Sequence, residues 1–251
     1  MNYKEILLYG VYSDLRTEVA RRFLGFLWWI IEPVMYMATF YLVFGLALRQ
    51  GGPDYVPFLL TGMIAWKWFD GSVRQASVAI SSNSGLVQQI YVPKSLFPLI
   101  QIFSNTFKFF IILLLLLLFM LVIGKRPSLH WLGLVPIILT QLYLIIAFGL
   151  LLASVIPFAQ DLKHVVDNAL MLMMFLSGIF FSAERIPESV RWLFELNPMV
   201  LVIDAYRAVL LNNQWPDAMH LLYIVAVATP ALAFALLFIH KNERRYPKLM
   251  L

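Results

Sequence analysis

Long apolar runs alternate with short polar segments along this chain. A helix needs about 20 mostly apolar residues to cross a hydrocarbon core about 30 Å thick. The pattern therefore predicts an all-α membrane protein, with one transmembrane domain over residues 1–251 and six transmembrane helices. The predicted spans are residues 26–48, 58–80, 103–123, 131–156, 169–181 and 218–239.

The first 22 residues carry too many charges to enter the membrane core. Apolar residues alternate with these charges, and they include Ile6, Leu7, Leu15 and Val19. This pattern favours an amphipathic interface helix over residues 1–22 that lies on the membrane surface. An ordinary polar tail is the alternative, because short periodicity is a weak signal.

Composition supports the membrane class and excludes several others. Apolar and aromatic residues make up 61% of the chain and charged residues 13%, whereas soluble domains carry about 25% charged residues. The chain has no cysteine, which excludes disulfides and sites with thiolate ligands. The net charge of +5 belongs to no basic domain, so we expect no nucleic-acid partner.

No constellation of catalytic residues is visible in the sequence, and neither a catalytic nor a metal site is predicted. The acids Glu32 and Asp70 belong to different predicted spans, and the histidines are scattered. A membrane-embedded glycolipid enzyme therefore stays a remote alternative. The nearest match to a phosphate-binding GxxxxGK[ST] loop, at Gly124 and Lys125, lacks the upstream glycine and the hydroxyl residue. Any ATP and Mg²⁺ must be bound by another polypeptide.

Lysine and arginine in the ends and short loops predict the orientation. With both termini in the cytoplasm, the inner side holds eleven of these residues and the outer side six. Lys125 and Arg126 count against this orientation, but the two terminal segments carry eight cations close to the first and last spans. We therefore expect a multi-pass membrane protein with both termini in the cytoplasm.

Four stretches together resemble one family. They are RRFLGFLWWIIEP (residues 21–33), VPFLLTGMIAWKWF (residues 56–69), NSGLVQQIYVPKSLFPL (residues 83–99) and ELNPMVLVIDAYR (residues 195–207). These stretches resemble the membrane subunits of ABC-2 type exporters, in the branch that moves lipid-linked polysaccharides. The matches follow the order of the family through nearly the whole chain.

The resemblance implies a location in the cytoplasmic (inner) membrane of a bacterium, and it implies partners and a cargo. The expected partners are a second copy of this chain, forming a homodimer, two ATP-binding ABC subunits and membrane lipids. The expected cargo is a lipid-linked polysaccharide, with O antigen on a polyprenyl pyrophosphate carrier favoured. Capsule, teichoic acid, a small lipid and a drug remain alternative cargoes.

The same resemblance implies a cytoplasmic coupling helix over residues 84–96, which would dock on the ATPase. Ser84 is expected to cap this helix, and Pro93 to end it before Lys94 meets the interface. The expected apolar docking face comprises Leu86, Val87 and Ile90. The full set of predicted coupling residues is Ser84, Leu86, Val87, Gln88, Ile90, Tyr91 and Lys94. A plain connector between two spans is the alternative.

Two helical faces are candidates for the lining of a channel. The first span places residues at steps of four, and the second places Lys67, Asp70 and Arg74 on one face, where each acid could pair with a base of the same helix. Aromatic rings would contact the apolar faces of sugars without holding one orientation. The candidate lining residues are Trp28, Glu32, Tyr36, Phe40, Trp66, Lys67, Asp70 and Arg74. An aromatic belt at the headgroups and a self-neutralised structural network are the alternatives.

Arg16, Arg21 and Arg22 lie where the interface helix meets the first span. Such a cluster attracts anionic headgroups, including a carrier pyrophosphate. The alternative is that these residues only hold the amino terminus inside.

The segment 183–213 is too polar to span a membrane, and Pro187 and Pro198 divide it. It resembles the short re-entrant helices that constrict the outer mouth in this family, before the last span. The predicted outer-gate residues are Asn197, Pro198, Asp204 and Arg207, with Asp204 and Arg207 close enough in sequence to pair. Solvent-exposed loop helices are the alternative.

Overall fold

The computed structural model describes residues 2–43, 54–89, 92–181 and 188–249, and all regular secondary structure in these ranges is helical. The first helices are α1 (Tyr3–Arg21), α2 (Trp28–Phe40), α3 (Tyr55–Ser82), α4 (Ser84–Gln89), α5 (Leu96–Val122) and α6 (Leu134–Val155). The remaining helices are α7 (Leu162–Leu176), α8 (Glu188–Glu195), α9 (Pro198–Leu210), α10 (Ala218–Asn242) and α11 (Tyr246–Leu249).

Four helical segments in the described ranges are long and apolar enough to cross a membrane. These segments are Gly25–Val43, Leu96–Val122, Leu129–Phe158 and Ala218–Asn242. They make the chain an integral membrane protein by length and composition. Helix α3 has 28 residues and is about 42 Å long at 1.5 Å per residue, but Lys67, Asp70 and Arg74 reduce its apolar character.

The bounds of the predicted fifth span, residues 169–181, are wrong. Helix α7 starts at Leu162, seven residues before the predicted span begins, and it ends at Leu176. Gly178 then adopts a φ of 70°, a conformation that a right-handed helix does not contain. The 15 residues of α7 cover about 22 Å, which is less than the hydrocarbon core.

Helix α3 lies at the centre of the bundle and packs against α5, α6 and α9, while α10 packs on the far side of α6. Its buried face contributes Leu60, Val73 and Ala76 to the main core. Close packing depends on Gly149 of α6, where a Cβ atom would come within 2.9 Å of Ile102 and 3.1 Å of the Ala76 Cβ atom. At Gly149 the central helices therefore pack too closely to admit a residue larger than glycine.

Helix α1 packs along α5. Its half-buried face includes Ile6 and Leu7, which pack against a buried cluster of the bundle. Gly10 permits the approach, since a Cβ atom at that position would lie 2.5 Å from the side chain of Ile100. The apolar face of α1 therefore contacts protein, and the position of this helix on a membrane surface stays a prediction.

The bundle has two ends, named by the short helices found there. The α4 end is a buried cluster of Ala79, Ile80, Val87, Val92, Leu96, Phe97, Ala153 and Tyr246, against which Ile6 and Leu7 pack. The α9 end joins α9 to the start of α3 and to the turn after α7. Residues near both termini therefore lie at the α4 end.

Candidate functional site

A cleft of about 270 Å³ opens between α1, α2, α3 and α5. It brings together six residues that the sequence analysis assigns to the channel or to the headgroup site: Trp28, Glu32, Tyr36, Lys67, Asp70 and Arg22. Trp29, Gln75, Asn105, Glu18 and Lys108 also line it. The cleft thus combines aromatic rings with side chains of both charges.

Lys67 is the charged centre of the cleft. Its Nζ atom lies 3.3 Å from Glu32 Oε1 and 3.9 Å from the centre of the Tyr36 ring. Both charged side chains are about half exposed, with accessible fractions of 41% and 54%. Lys67 therefore links α3 to α2. Its helical spacing predicts a pair with Asp70 inside α3 instead.

Glu18 is the second centre, and it joins three helices. Its carboxylate lies 2.9 Å from Lys108 Nζ and 3.2 Å from Arg22 Nη2, and it accepts a hydrogen bond of 3.4 Å from Trp29 Nε1. Burial alone would raise the pKa of Glu18, but hydrogen bonding and attraction by Lys108 outweigh it, so the pKa is lowered. This carboxylate is therefore held in its charged form.

Neither Glu18 nor Lys108 is among the site residues that the sequence analysis names. A signal for each exists in the sequence. Lys108 is a charged residue within a long apolar helix, and such residues have a polar partner in most membrane proteins. Glu18 precedes Arg22 by four residues, the spacing of a helical ion pair.

Arg74 lies outside the cleft and connects α3 to α7. Its guanidinium pairs with Asp70 at 2.8 Å and with Asp167 of α7. The helical pair of Asp70 with Arg74 thus forms as its spacing predicts, and Asp167 is an additional partner. The charged face of α3 therefore contacts α2 at Lys67 and α7 at Arg74.

Besides Arg74, the predicted lining residue Trp66 and the predicted headgroup residues Arg16 and Arg21 do not line the cleft. Trp66 is 3% exposed and belongs to the main core, with its ring centre 5.6 Å from that of Phe69. Its assignment to a channel wall is wrong, because adjacent helical residues differ by about 100° in direction and Lys67 faces the cleft. Arg16 and Arg21 are exposed beyond the cleft. The side chain of Phe40 lies outside the described residues.

The predicted coupling helix is shorter than expected. Helix α4 ends at Gln89, and Val92 to Ser95 are not helical before α5 begins at Leu96. Pro93 accounts for this break, because proline disfavours a helical conformation in the preceding residue. Ser84 is the first residue of the helix, and Asn83 takes the cap position, accepting from Val87 N–H at 2.9 Å.

Burial separates the predicted coupling residues into two groups. Leu86 is 48% exposed and Gln88 is exposed as well, so both face outward. Val87 and Lys94 are each 2% exposed and cannot meet a partner protein, so the docking role given to them is wrong. Ile90 and Tyr91 lie outside the described residues.

Arg207 organises the α9 end. It donates hydrogen bonds to the carbonyl oxygens of Gly178 at 2.9 Å and Ile179 at 3.0 Å, and its guanidinium carbon lies 3.3 Å from the centre of the Phe58 ring. The expected pair with Asp204 forms at 3.4 Å. Arg207 thus fixes the turn that ends α7 against α3 and α9.

Asn197 and Pro198 begin α9. The Asn197 side chain accepts from Met199 N–H at 3.0 Å and donates to Ser177 Oγ at 3.1 Å. Pro198 occupies the first helical turn, where its missing N–H group costs no hydrogen bond. The predicted outer-gate residues are therefore joined to the turn after α7, while their role in gating stays a prediction.

Comparison with known proteins gives the family. Residues 10–211 match the family model described as ABC-2 type transporter. The chain belongs to the ABC-2 type transporter family. As a member of this family it is a transport permease subunit and not an enzyme.

Individual relatives of this ABC-2 permease carry more specific names. It is 31% identical over 232 residues to the O-antigen export system permease protein RfbA of Myxococcus xanthus, covering 92% of this chain and 89% of the relative. A Klebsiella pneumoniae protein of the same name is 28% identical over 83% of this chain and 81% of its own length. The polysialic acid transport protein KpsM of Escherichia coli is 25% identical over 92% and 90%.

Proposed function

We propose that this ABC-2 permease forms the membrane pathway of an ATP-driven exporter of lipid-linked polysaccharide, with O antigen on a polyprenyl pyrophosphate carrier as the favoured cargo. The observation that carries the proposal is the similarity to O-antigen export permeases over more than four fifths of both chains. A cleft with aromatic and polar walls suits a glycan, because rings contact the apolar faces of sugars and polar groups replace water at the hydroxyls.

The charge balance of the cleft favours sugar over phosphate inside it. Three acids line it, Glu18, Glu32 and Asp70, and three bases, Arg22, Lys67 and Lys108. A phosphate that entered would have to displace a carboxylate from a cation. We therefore assign attraction of the carrier pyrophosphate to Arg16 and Arg21, which are exposed and do not line the cleft, and contact with the glycan to the cleft.

The proposed topology has six spans, with both termini and α4 in the cytoplasm of a bacterium and α9 outside. It is supported by the position of residues near both termini at the α4 end, since this arrangement requires an even number of crossings. The four long apolar segments supply four crossings, and α3 and α7 supply the other two. The short α7 reaches the α9 end through the turn that Arg207 holds.

A second copy of this chain is the proposed partner within the membrane. Helix α7 exposes the apolar side chains of Met171, Leu172 and Phe175. Helix α2, which lies beside the charged face of α3, also exposes apolar side chains. Lipid alone would leave Lys67 and Arg74 at an apolar boundary, which is costly. A homodimer that faces these surfaces toward a shared pathway would keep the charges in a polar environment.

The proposed energy source is a pair of separate ABC subunits that bind ATP and Mg²⁺. The chain has no phosphate-binding GxxxxGK[ST] loop of its own. Helix α4 exposes the side chain of Leu86 at the α4 end of the bundle. We assign the contact with the ATPase to the exposed side of α4, with Leu86 and Gln88 at its centre.

Capsular polysaccharide is the second candidate cargo, and the similarity to the polysialic acid transport protein favours it. Teichoic acid, small lipids and drugs have no such support from the three relatives described above.

Deletion of this chain from its organism tests the proposal. We expect lipid-linked polymer to accumulate inside the cell and surface polymer to disappear, with both restored by the intact gene on a plasmid. Chemical analysis of the accumulated polymer would identify O antigen or capsule. If surface polymer stays at the normal level after deletion, the proposal is wrong.

A further inference from the structure

Helix α4 is too short to be stable alone. It has six residues, and isolated helices below about 12 residues are marginal in water. Its conformation must therefore be fixed by the residues around it. Val87 provides the first contact, because its side chain packs in the buried cluster of the α4 end.

Lys94 provides a second contact from the loop that follows α4. Its Nζ atom donates a hydrogen bond of 3.2 Å to the carbonyl oxygen of Val87. This carbonyl is one of the last four of the helix, which have no partner within it. Burial lowers the pKa of Lys94, and the carboxylate of Glu243 opposes this effect by attraction. Lys94 therefore satisfies the carboxyl end of α4 from inside the protein.

Tyr246 provides a third contact from the C-terminal segment. Its side chain is fully buried in the same cluster as Val87. The hydroxyl donates a hydrogen bond of 2.9 Å to the carbonyl oxygen of Ser154, near the end of α6. The ring also packs edge to face on Phe158, with centres 5.3 Å apart. Helix α11, which Tyr246 begins, contacts α4 directly, so the C-terminal segment bridges α4 and α6.

We propose that Tyr246 is a positioning residue that fastens α4 to the end of α6, and that Lys94 is a positioning residue that holds the carboxyl end of α4 in place, so that displacement of α4 by a docked ATPase moves α6 with it. The inference rests on the proposed coupling role of α4. A helix held only by its flanking loops would yield locally, whereas the C-terminal segment packs on α4 and is bonded to α6 through Tyr246, and so transmits the movement.

Four variants of the full chain test this inference. Lys94→Met removes the donor but keeps the length and burial of the side chain, and Lys94→Arg restores a donor. Tyr246→Phe removes only the hydroxyl and keeps the packing. Lys248→Met is the matched control, because Lys248 is an exposed lysine of the same C-terminal helix.

The first measurement compares surface polymer in cells with ATP hydrolysis by the purified complex in lipid nanodiscs. We expect Lys94→Met and Tyr246→Phe to assemble with the ATPase and hydrolyse ATP at the normal rate. Surface polymer should fall at least about fivefold in each, the factor that corresponds to a loss of about 1 kcal/mol, the net contribution of a typical hydrogen bond. Lys94→Arg should recover most of the loss, and Lys248→Met should match the wild type.

The second measurement is hydrogen exchange of residues 84–89 in the same complexes. Protection should fall in Lys94→Met and Tyr246→Phe and stay constant in Lys248→Met. If the wild type exports polymer but Lys94→Met and Tyr246→Phe both show normal protection and normal surface polymer, the inference is wrong. If the wild type neither binds an ATPase nor exports polymer, the proposed function fails instead, and the exchange data still decide whether these residues hold α4.

Discussion

Residues that are adjacent in the sequence of this ABC-2 permease can have very different surroundings in the structure. Trp66 is buried in the core and Lys67 lines the cleft, while Leu86 faces outward and Val87 inward. A step of one residue turns a helix by about 100°, so neighbours face different surroundings. At this scale burial and partners, rather than residue type, decide the role.

The ion pair of Glu32 with Lys67 gives the first prediction. Glu32→Gln and Lys67→Gln should each reduce surface polymer severalfold, because an unpaired charge is left in the cleft. Thermal stability in detergent should change by less than about 1 kcal/mol, since both side chains are half exposed.

The exchanged double variant, Glu32→Lys with Lys67→Glu, is the control for that pair. It should recover export if mutual neutralisation is what the cleft requires. Export as low as in the single variants would assign a specific contact with cargo to one of the two residues.

Leu86 and Val87 give a second prediction. Val87→Ala should lower the free energy of unfolding by about 2 kcal/mol, because it leaves a cavity in a buried cluster. Leu86→Ala should leave stability unchanged but weaken ATPase binding, measured by co-purification. Equal stability losses in both variants would contradict the burial difference between them.

Helices in this bundle are joined at points of close approach as well as by charged side chains. Gly62 of α3 lies under Arg207, where a Cβ atom would come 2.9 Å from Nη2 and 3.3 Å from Ile203. Arg207 in turn holds the turn after α7. Arg207 thereby attaches the turn after α7 to α3 and α9, in addition to the pair of Arg74 with Asp167.

Gly62→Ala should therefore destabilise the protein. The added methyl group displaces the Arg207 guanidinium from the carbonyls of Gly178 and Ile179, and we expect a loss of about 2 kcal/mol from their broken hydrogen bonds. Gly71→Ala in the same helix is the control, because no atom lies within 4 Å of its Cβ position. That change should raise stability by about 0.5–1 kcal/mol through helix propensity. Thermal unfolding in detergent measures both, and a neutral Gly62→Ala would contradict the close approach.

The whole molecule is organised around its two ends. The α4 end collects the start of α1, the loop between α3 and α5, the end of α6 and the C-terminal segment. The α9 end collects α9 and the turn after α7. The proposed docking of an ATPase at one end and release of cargo at the other would require this polarity.

Labelling of single cysteines tests the polarity directly. The chain has no cysteine of its own, so Gln88→Cys and Gln214→Cys each introduce one defined thiol. A membrane-impermeant reagent added to intact cells should label Gln214→Cys and label Gln88→Cys only after the membrane is opened. Lys4→Cys should behave like Gln88→Cys. Labelling of Gln88→Cys in intact cells would contradict the proposed cytoplasmic position of α4.

The sequence alone determined the membrane class, the location of most helices and the resemblance to the family. These properties depend on the length of apolar runs and on local motifs, both of which are continuous along the chain. The proline at 93 and the Asn-Pro pair at 197–198 likewise indicated breaks that the helices respect, because proline acts on its own neighbourhood. The coupling helix was nevertheless predicted too long, because its predicted range ran past Pro93 to residue 96, where α5 begins.

Only the tertiary structure decided which face of each helix meets which neighbour. Glu32 and Lys67 are 35 residues apart, Glu18 and Lys108 are 90 apart, and Tyr246 and Ser154 are 92 apart. Helical periodicity groups residues on a face, but it does not say what that face contacts. Helix packing fixes the contacts through close approaches such as Gly62 with Arg207, and these depend on shapes that are complete only when the whole bundle has formed.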